Sequence, residues 1–238
     1  MLRTNHLHDD RRLWPDRPSL DVPLKESTMT LQHGTPVTLG QIAPDFQAGT
    51  TEGPIRFADR AKDSSVVIFS HPRDFTPVCT TELGEAARLK PEFDRRGVKV
   101  IGLSVDPLDR HAAWAEDIAQ TQGHALNFPM IADPSREVSA LYGMTHPEAD
   151  PAITVRTVYV LDPARRVRLT MTYPPSTGRN FLEVLRVIDS LQLTDRHKVA
   201  TPVNWQPRGR AIIVPSLSDE DAAKRFPQGW KAERPYLR

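Results

Sequence analysis

Phe69-Ser70-His71-Pro72-Arg73-Asp74-Phe75-Thr76-Pro77-Val78-Cys79-Thr80-Thr81-Glu82-Leu83 decides the fold of this 238-residue chain and holds its single cysteine. Upstream, Ser65 to Phe69 is a short apolar, β-branched run that reads as a buried strand. Downstream, Leu83, Ala86, Ala87 and Phe93 recur at helical spacing. Between them, Thr76 followed by Pro77 is a helix-start signal. A threonine oxygen at the N-cap accepts an otherwise unpaired backbone N–H, and the fixed φ of proline suits the first helical position. Cys79 then falls at the third helical position. There the unpaired N–H groups and the positive end of the helix favour a thiolate.

Composition narrows the function classes. The net charge is +1 and 26% of residues are charged, so no global field points to nucleic acid or a membrane surface. Residues 196–238 carry nine basic and four acidic side chains, but these are scattered and read as a solvated or subunit-contacting surface. One cysteine excludes an intrachain disulfide, so the fold needs no oxidising compartment and a cytoplasmic location is expected. No run approaches the roughly 18 consecutive apolar residues of a membrane span.

Working outward, residues 1–28 mix charges and prolines without an apolar stretch. They read as a disordered tail, not a secretory or mitochondrial leader, with Met29 as an alternative start. His6 and His8 beside Asp9 and Asp10 read as solvated side chains. After Cys79 the helix should reach about Arg96, kinked or restarted at Pro91 and stopped at Gly97. Val98–Val105, Phe128–Ile131, Thr157–Leu161 and Val167–Tyr173 read as strands; the last two form a hairpin. Leu108–Gln122, Ser135–Tyr142 and Asn180–Leu191 read as helices, the first with Trp114 and Ile118 on one face. Strands alternating with helices, then a hairpin and a helix, predict an α/β three-layer sandwich. Beyond residue 195, Thr201–Pro207 is a proline-punctuated linker and Arg210–Val214 a short strand. Ser218 caps a last helix. This segment has too few apolar groups for an independent core.

The spacing Pro72-x-x-x-Thr76-x-x-Cys79 resembles the active-site motif of the peroxiredoxins, and the string His71 to Leu83 is similar to their one-cysteine subgroup. Leu39-Gly40-Gln41-Ile42-Ala43-Pro44-Asp45-Phe46 resembles the family's opening loop, with Phe46 directed into the core. Lys198-Val199-Ala200-Thr201-Pro202-Val203-Asn204-Trp205 looks like the subgroup's C-terminal arm, which packs across a dimer partner. The resemblance covers residues 36–238. It implies a thioredoxin-like core over 36–195 and a small α+β dimerisation arm over 196–238; residues 1–35, outside it, are expected to be a flexible extension. It also implies a homodimer, with larger rings of dimers left open.

The resemblance further implies a thiol peroxidase acting on hydrogen peroxide and small organic hydroperoxides. Cys79 would attack a peroxide oxygen and become a sulfenic acid. By carry-over, Arg156 and the Thr76 hydroxyl hold the two peroxide oxygens in line with sulfur, and Pro72 shields the thiol from water. Arg179 and Glu82 support the site, and His71 neighbours the thiol. Each has a plainer reading: Arg156 as a surface charge, Arg179 as a carbonyl cap, His71 as a packed core histidine and Glu82 as an ion-pair partner. The remaining histidines show no ligand spacing, and neither a metal nor a cofactor is expected. With no second cysteine, an external thiol must resolve the sulfenic acid through a mixed disulfide. Glutathione, a thioredoxin-like protein or another small thiol would all fit.

Two other functions compete. Some members of the subgroup carry a phospholipase-type activity that uses a serine, a histidine and an aspartate. Here Ser64 matches, Ala58 stands at the histidine position, and Asp162 lies two residues before the aspartate position at Ala164. A hydroxyl without its base is a weak nucleophile, so this activity is not expected. A non-enzymatic, chaperone-like binding protein with an inert Cys79 would instead lose nothing in Cys79→Ser.

Overall fold

The computed structural model describes residues 36–146, 150 and 152–238; the expectations for residues 1–35 lie outside this range. In chain order the elements begin with β1 (Gln47–Ala48), β2 (Ile55–Arg56), α1 (Phe57–Arg60), β3 (Ser65–Ser70) and α2 (Pro77–Arg95). They continue with β4 (Val98–Ser104), α3 (Leu108–Gln122), β5 (Met130–Ala132), α4 (Glu137–Leu141), β6 (Arg156–Leu161) and β7 (Val167–Tyr173). The chain closes with α5 (Phe181–Arg196), β8 (Val199–Ala200), β9 (Ile212–Ile213) and α6 (Asp219–Arg225). The described residues form two compact units, one ending at Phe181 and one comprising Leu182–Arg238.

In the first unit β3 is the middle of a five-stranded sheet of order β5-β4-β3-β6-β7. It runs parallel to β4, with Val67 opposite Val100, and antiparallel to β6, with Val67 opposite Val160. All six of its residues are buried, which explains an apolar run in place of alternation. Val66 and Ile68 face a core built with Phe57 and Ala61 of the α1 region and Val138 and Tyr142 at α4. Phe46 joins this core and stacks on Phe57 at 4.8 Å, as its place in the opening loop predicts. Val67 and Phe69 point to the opposite face, which α2 and α3 cover; α2 packs on β4 and α3 on β5. Trp114 and Ile118 are fully buried there.

The helix carrying Cys79 departs from expectation at one point: it runs through Pro91 without a break. Proline has no N–H to give the carbonyl four residues back, and that carbonyl belongs to Ala87. The side-chain amide of Asn127 donates to Ala87 O at 3.1 Å and replaces the missing donor. Gly97 adopts φ 66 just past the helix and ends it.

In the second unit Trp205, Ala211, Ile213, Ala222 and Phe226 gather with Leu193 and Val199 into a small core of their own. Leu193 of α5 is part of that core, and this compact unit begins at Leu182. Ser218 caps α6 as expected, its hydroxyl accepting from Asp221 N at 3.1 Å.

Candidate active site

Thr76 is the N-cap of α2, with extended backbone (φ −118, ψ 146), and Pro77 is its first residue. The cap works differently from the sequence expectation. The Thr76 hydroxyl takes no helix N–H; it donates to Arg73 O at 3.0 Å and closes the loop. The Thr76 carbonyl accepts from both the N–H and the hydroxyl of Thr80. Cys79 is the third residue of the helix, fully buried, and no acid stands in that first turn.

Opposite the sulfur lies the start of β6. Arg156 opens that strand, and its Nη1 approaches Cys79 Sγ to 3.3 Å. Its Nε and Nη2 donate to Pro175 O at 3.0 and 2.7 Å, which fixes the plane of the guanidinium. Its Nη1 also donates to Glu82 Oε2 at 2.5 Å. Glu82, one turn after Cys79 on α2, is the centre of the arrangement. Arg179 gives it a backbone N–H at 2.6 Å, Nε at 2.9 Å to Oε1 and Nη2 at 2.8 Å to Oε2. The last nitrogen of Arg179 donates to Ser70 O at 2.7 Å, at the end of β3. The guanidinium also packs over Phe69, its carbon 4.9 Å from the ring centroid.

Burial alone would push the Glu82 carboxyl up, but Arg179 and Arg156 outweigh it and hold it below the usual carboxylate range. Burial pulls Arg179 down from the ordinary arginine value, against the pull of Glu82. Two guanidinium cations and one carboxylate leave this buried cluster one net positive charge. An ionised sulfur at Cys79 brings it to zero, and unpaired buried charge is costly.

The structure thus brings Cys79, Glu82, Arg156 and Arg179 into one network, and Arg179 and Glu82 prove to be its frame. Pro72 is buried in the loop between β3 and α2. His71 bonds elsewhere: its Nε2 lies 2.8 Å from Asp74 Oδ1, and its ring packs on Trp114 at 5.1 Å. Its Nδ1 is buried with no hydrogen-bond partner among the described residues. Burial pushes the His71 imidazole below its ordinary value, although Asp74 pulls the other way.

Sequence reasoning missed the set around His71. Asp74 also bonds His111 Nδ1 at 2.5 Å, and His111 Nε2 reaches Ile131 O at 3.1 Å. Asp106 accepts from Asp74 N at 2.8 Å and from the Ser104 hydroxyl at 3.2 Å. Burial raises the Asp74 carboxyl, yet the two histidine bonds prevail and hold it down to about 2. Donor atoms of His71, Asp74 and Asp106 lie within 4.8 Å of one another, a spacing that could hold a metal. Each already serves a protein partner. The His71-x-x-Asp74 pair was visible in the sequence; that His111 on a helix more than 30 residues later would meet it was not.

The phospholipase constellation does not assemble. Ala58 stands where the base would be and gives its N–H to Asp45 at 2.7 Å. Asp162 accepts from the N–H groups of Ala164 and Arg166 in its own turn.

Comparison with known proteins places the chain in a family. Residues 39–170 match the AhpC/TSA family and residues 190–229 match the C-terminal domain of 1-Cys peroxiredoxin. The chain is 48% identical to the 1-Cys peroxiredoxin of Dictyostelium discoideum over 205 residues, covering 86% of this chain and 85% of that one. Among solved structures, a cysteine-to-serine mutant of peroxiredoxin 6 from Arenicola marina superposes with a TM-score of 0.80 at 44% identity, covering 84% of this chain and 96% of that one. The yeast mitochondrial 1-Cys peroxiredoxin, whose thiol is resolved through glutathione/thioredoxin systems, does so with a TM-score of 0.80 at 47% identity, covering 84% and 97%. The α/β fold is therefore that of the thioredoxin-like peroxiredoxins, and the chain belongs to the AhpC/TSA family as a 1-Cys peroxiredoxin, a thiol-dependent peroxidase.

Proposed function

We propose that Cys79 is the peroxidatic residue and that it reduces hydrogen peroxide and small organic hydroperoxides. The observation that carries this reading is Arg156 Nη1 at 3.3 Å from Cys79 Sγ, inside a buried cluster short of one negative charge. The thiolate attacks the terminal peroxide oxygen, an S–O bond forms and the O–O bond breaks. The departing alkoxide or hydroxide takes up a proton and leaves as alcohol or water. Sulfur loses two electrons to the peroxide and becomes the sulfenic acid. Charge grows on the departing oxygen during this step, and a fixed cationic donor is the group that lowers such a barrier. Arg156 supplies it, with the Thr76 hydroxyl aligning the peroxide and Pro72 limiting water at the sulfur. His71, Glu82 and Arg179 support the site from behind.

The chain has one cysteine, so the return to thiol uses two equivalents of external thiol. The first displaces water from the sulfenic acid to give a mixed disulfide, and the second releases Cys79. Glutathione or a thioredoxin-like protein suits this role, by likeness to the yeast relative. Dependence on such thiols favours a reducing compartment, the cytoplasm. A homodimer is the reading that the C-terminal match supports, and Val203 of that arm is 88% exposed in the single chain.

Stopped-flow mixing of the reduced protein with hydrogen peroxide, followed by intact mass, tests the proposal. A rapid phase that is absent in Cys79→Ser, with one oxygen gained, is the expected result. Reaction no faster than that of free cysteine at the same pH would overturn it. Adding glutathione and a thioredoxin separately then identifies the reductant.

A further inference from the structure

Asp74 is engaged on both carboxylate oxygens and through its backbone. Its two carboxylate oxygens face His71 Nε2 at 2.8 Å, from the end of β3, and His111 Nδ1 at 2.5 Å, from α3. Its N–H donates to Asp106 at 2.8 Å, and its carbonyl accepts from Arg110 Nη2 at 3.3 Å. The side chains of Asp74, His71 and His111 are wholly shielded from solvent. One residue in a loop is thus tied to β3, to α3 and to the turn after β4.

The next residue shows what these ties hold. Phe75 sits at φ 54, a left-handed backbone that a bulky side chain rarely adopts. Phe75 is 47% exposed, its ring beside the Arg110 guanidinium (carbon 5.2 Å from the centroid) and Trp114 (6.2 Å between centroids), so side-chain burial does not force that conformation. Such residues persist where their surroundings over-determine them, and they concentrate at active sites. Thr76 follows directly, and then α2 with Cys79.

We propose that Asp74 is a positioning residue for peroxide attack: by anchoring the loop on both sides it holds Phe75 left-handed, which sets where Thr76 and the first turn of α2 meet the peroxide. This rests on the peroxidase reading above. The contribution is geometric. Asp74 touches no reacting atom, and its loss leaves a thiol that still reacts with reagents needing no alignment.

The test compares two rates on the same folded variants at one pH: the stopped-flow reaction with hydrogen peroxide and alkylation by iodoacetamide. Asp74→Ala is expected to slow the peroxide reaction by about 10- to 100-fold, the scale of a small misplacement of reacting groups, with alkylation unchanged. Asp74→Asn retains most of the rate, because its amide can accept from His71 and donate to a neutral His111. Phe75→Gly alone, which adopts this backbone freely but gives up the ring contacts with Arg110 and Trp114, sets the reference rate for the double variant. In the Asp74→Ala background, Phe75→Gly brings the peroxide rate back to that of Phe75→Gly alone. His111→Ala, which removes only the α3 anchor, gives a smaller loss relieved by the same glycine and serves if Asp74→Ala does not fold. Equal slowing of both reactions, no slowing, or no recovery with glycine would overturn the proposal. A wild-type protein that reacts slowly with peroxide would instead overturn the peroxidase reading itself.

Discussion

Arg179 grips Glu82 at both carboxylate oxygens, Nε at 2.9 Å from Oε1 and Nη2 at 2.8 Å from Oε2, and so ties the loop before α5 to the helix that carries Cys79. Glu82 then holds Arg156 against the sulfur. Removing the carboxylate charge leaves two buried guanidinium groups with only a neutral amide between them. Glu82→Gln is expected to destabilise the fold by about 3 kcal/mol, the cost of breaking a buried pair from one side. Urea midpoints of the reduced protein measure it, and an unchanged midpoint would show that Glu82 is no keystone.

Arg156 is held by Pro175 O through two nitrogens, which leaves Nη1 aimed at the sulfur. Arg156→Ala should lower the second-order rate with hydrogen peroxide by about 100-fold, the scale of one lost transition-state donor. Arg156→Lys should recover little of that, because an ammonium cannot meet Pro175 O, Glu82 and the sulfur together. A rate within error of wild type in Arg156→Ala would remove this arginine from the mechanism.

The join between Pro91 and Asn127 gives a prediction with no catalytic component. Asn127→Ala strips the donor from Ala87 O and should cost about 1 kcal/mol, with the peroxide rate unaltered. Pro91→Ala returns a backbone N–H to that carbonyl, so Asn127→Ala made on top of it should cost less. A double-mutant cycle in urea reads the coupling, and strict additivity would refute it.

Acid should unfold the protein through three buried groups acting in one direction. His71 is held below its ordinary 6.5, so the unfolded chain binds that proton more readily and stability begins to fall as pH drops below about that value. Glu82 is held below its ordinary 4.5, and Asp74 is lowered from 3.8 to about 2. Their stabilisation is complete above the unfolded values and is lost as pH falls through the folded ones. Thermal midpoints from pH 8 to pH 3 should therefore decline gently below 6.5 and steeply below 4.5. Glu82→Gln should flatten part of the steep limb.

From β3 to α5 the element order was legible because each signal was local. Thr76-Pro77 marked the start of α2, Gly97 its end, and the β-branched runs gave the sheet strands. The fate of Pro91 was not local: nothing near it announces that Asn127, on a loop packed alongside, supplies the missing donor. The chemistry followed the same divide. Cys79, Arg156 and Arg179 were found through the strings around them, whereas His111 gave no sign of its meeting with Asp74. The Thr76 cap was located correctly and assigned the wrong bond, since sequence cannot tell whether a hydroxyl turns toward the helix or toward Arg73 O.

The charge count at Cys79 ties the state of the sulfur to the integrity of the whole fold. A negative charge on sulfur would balance Arg156, Arg179 and Glu82, and a neutral sulfenic acid would not. The reduced protein is expected to melt at a higher temperature than the protein oxidised at Cys79. Protease digestion or melting of the intact enzyme would register its oxidation without any probe attached to the cysteine.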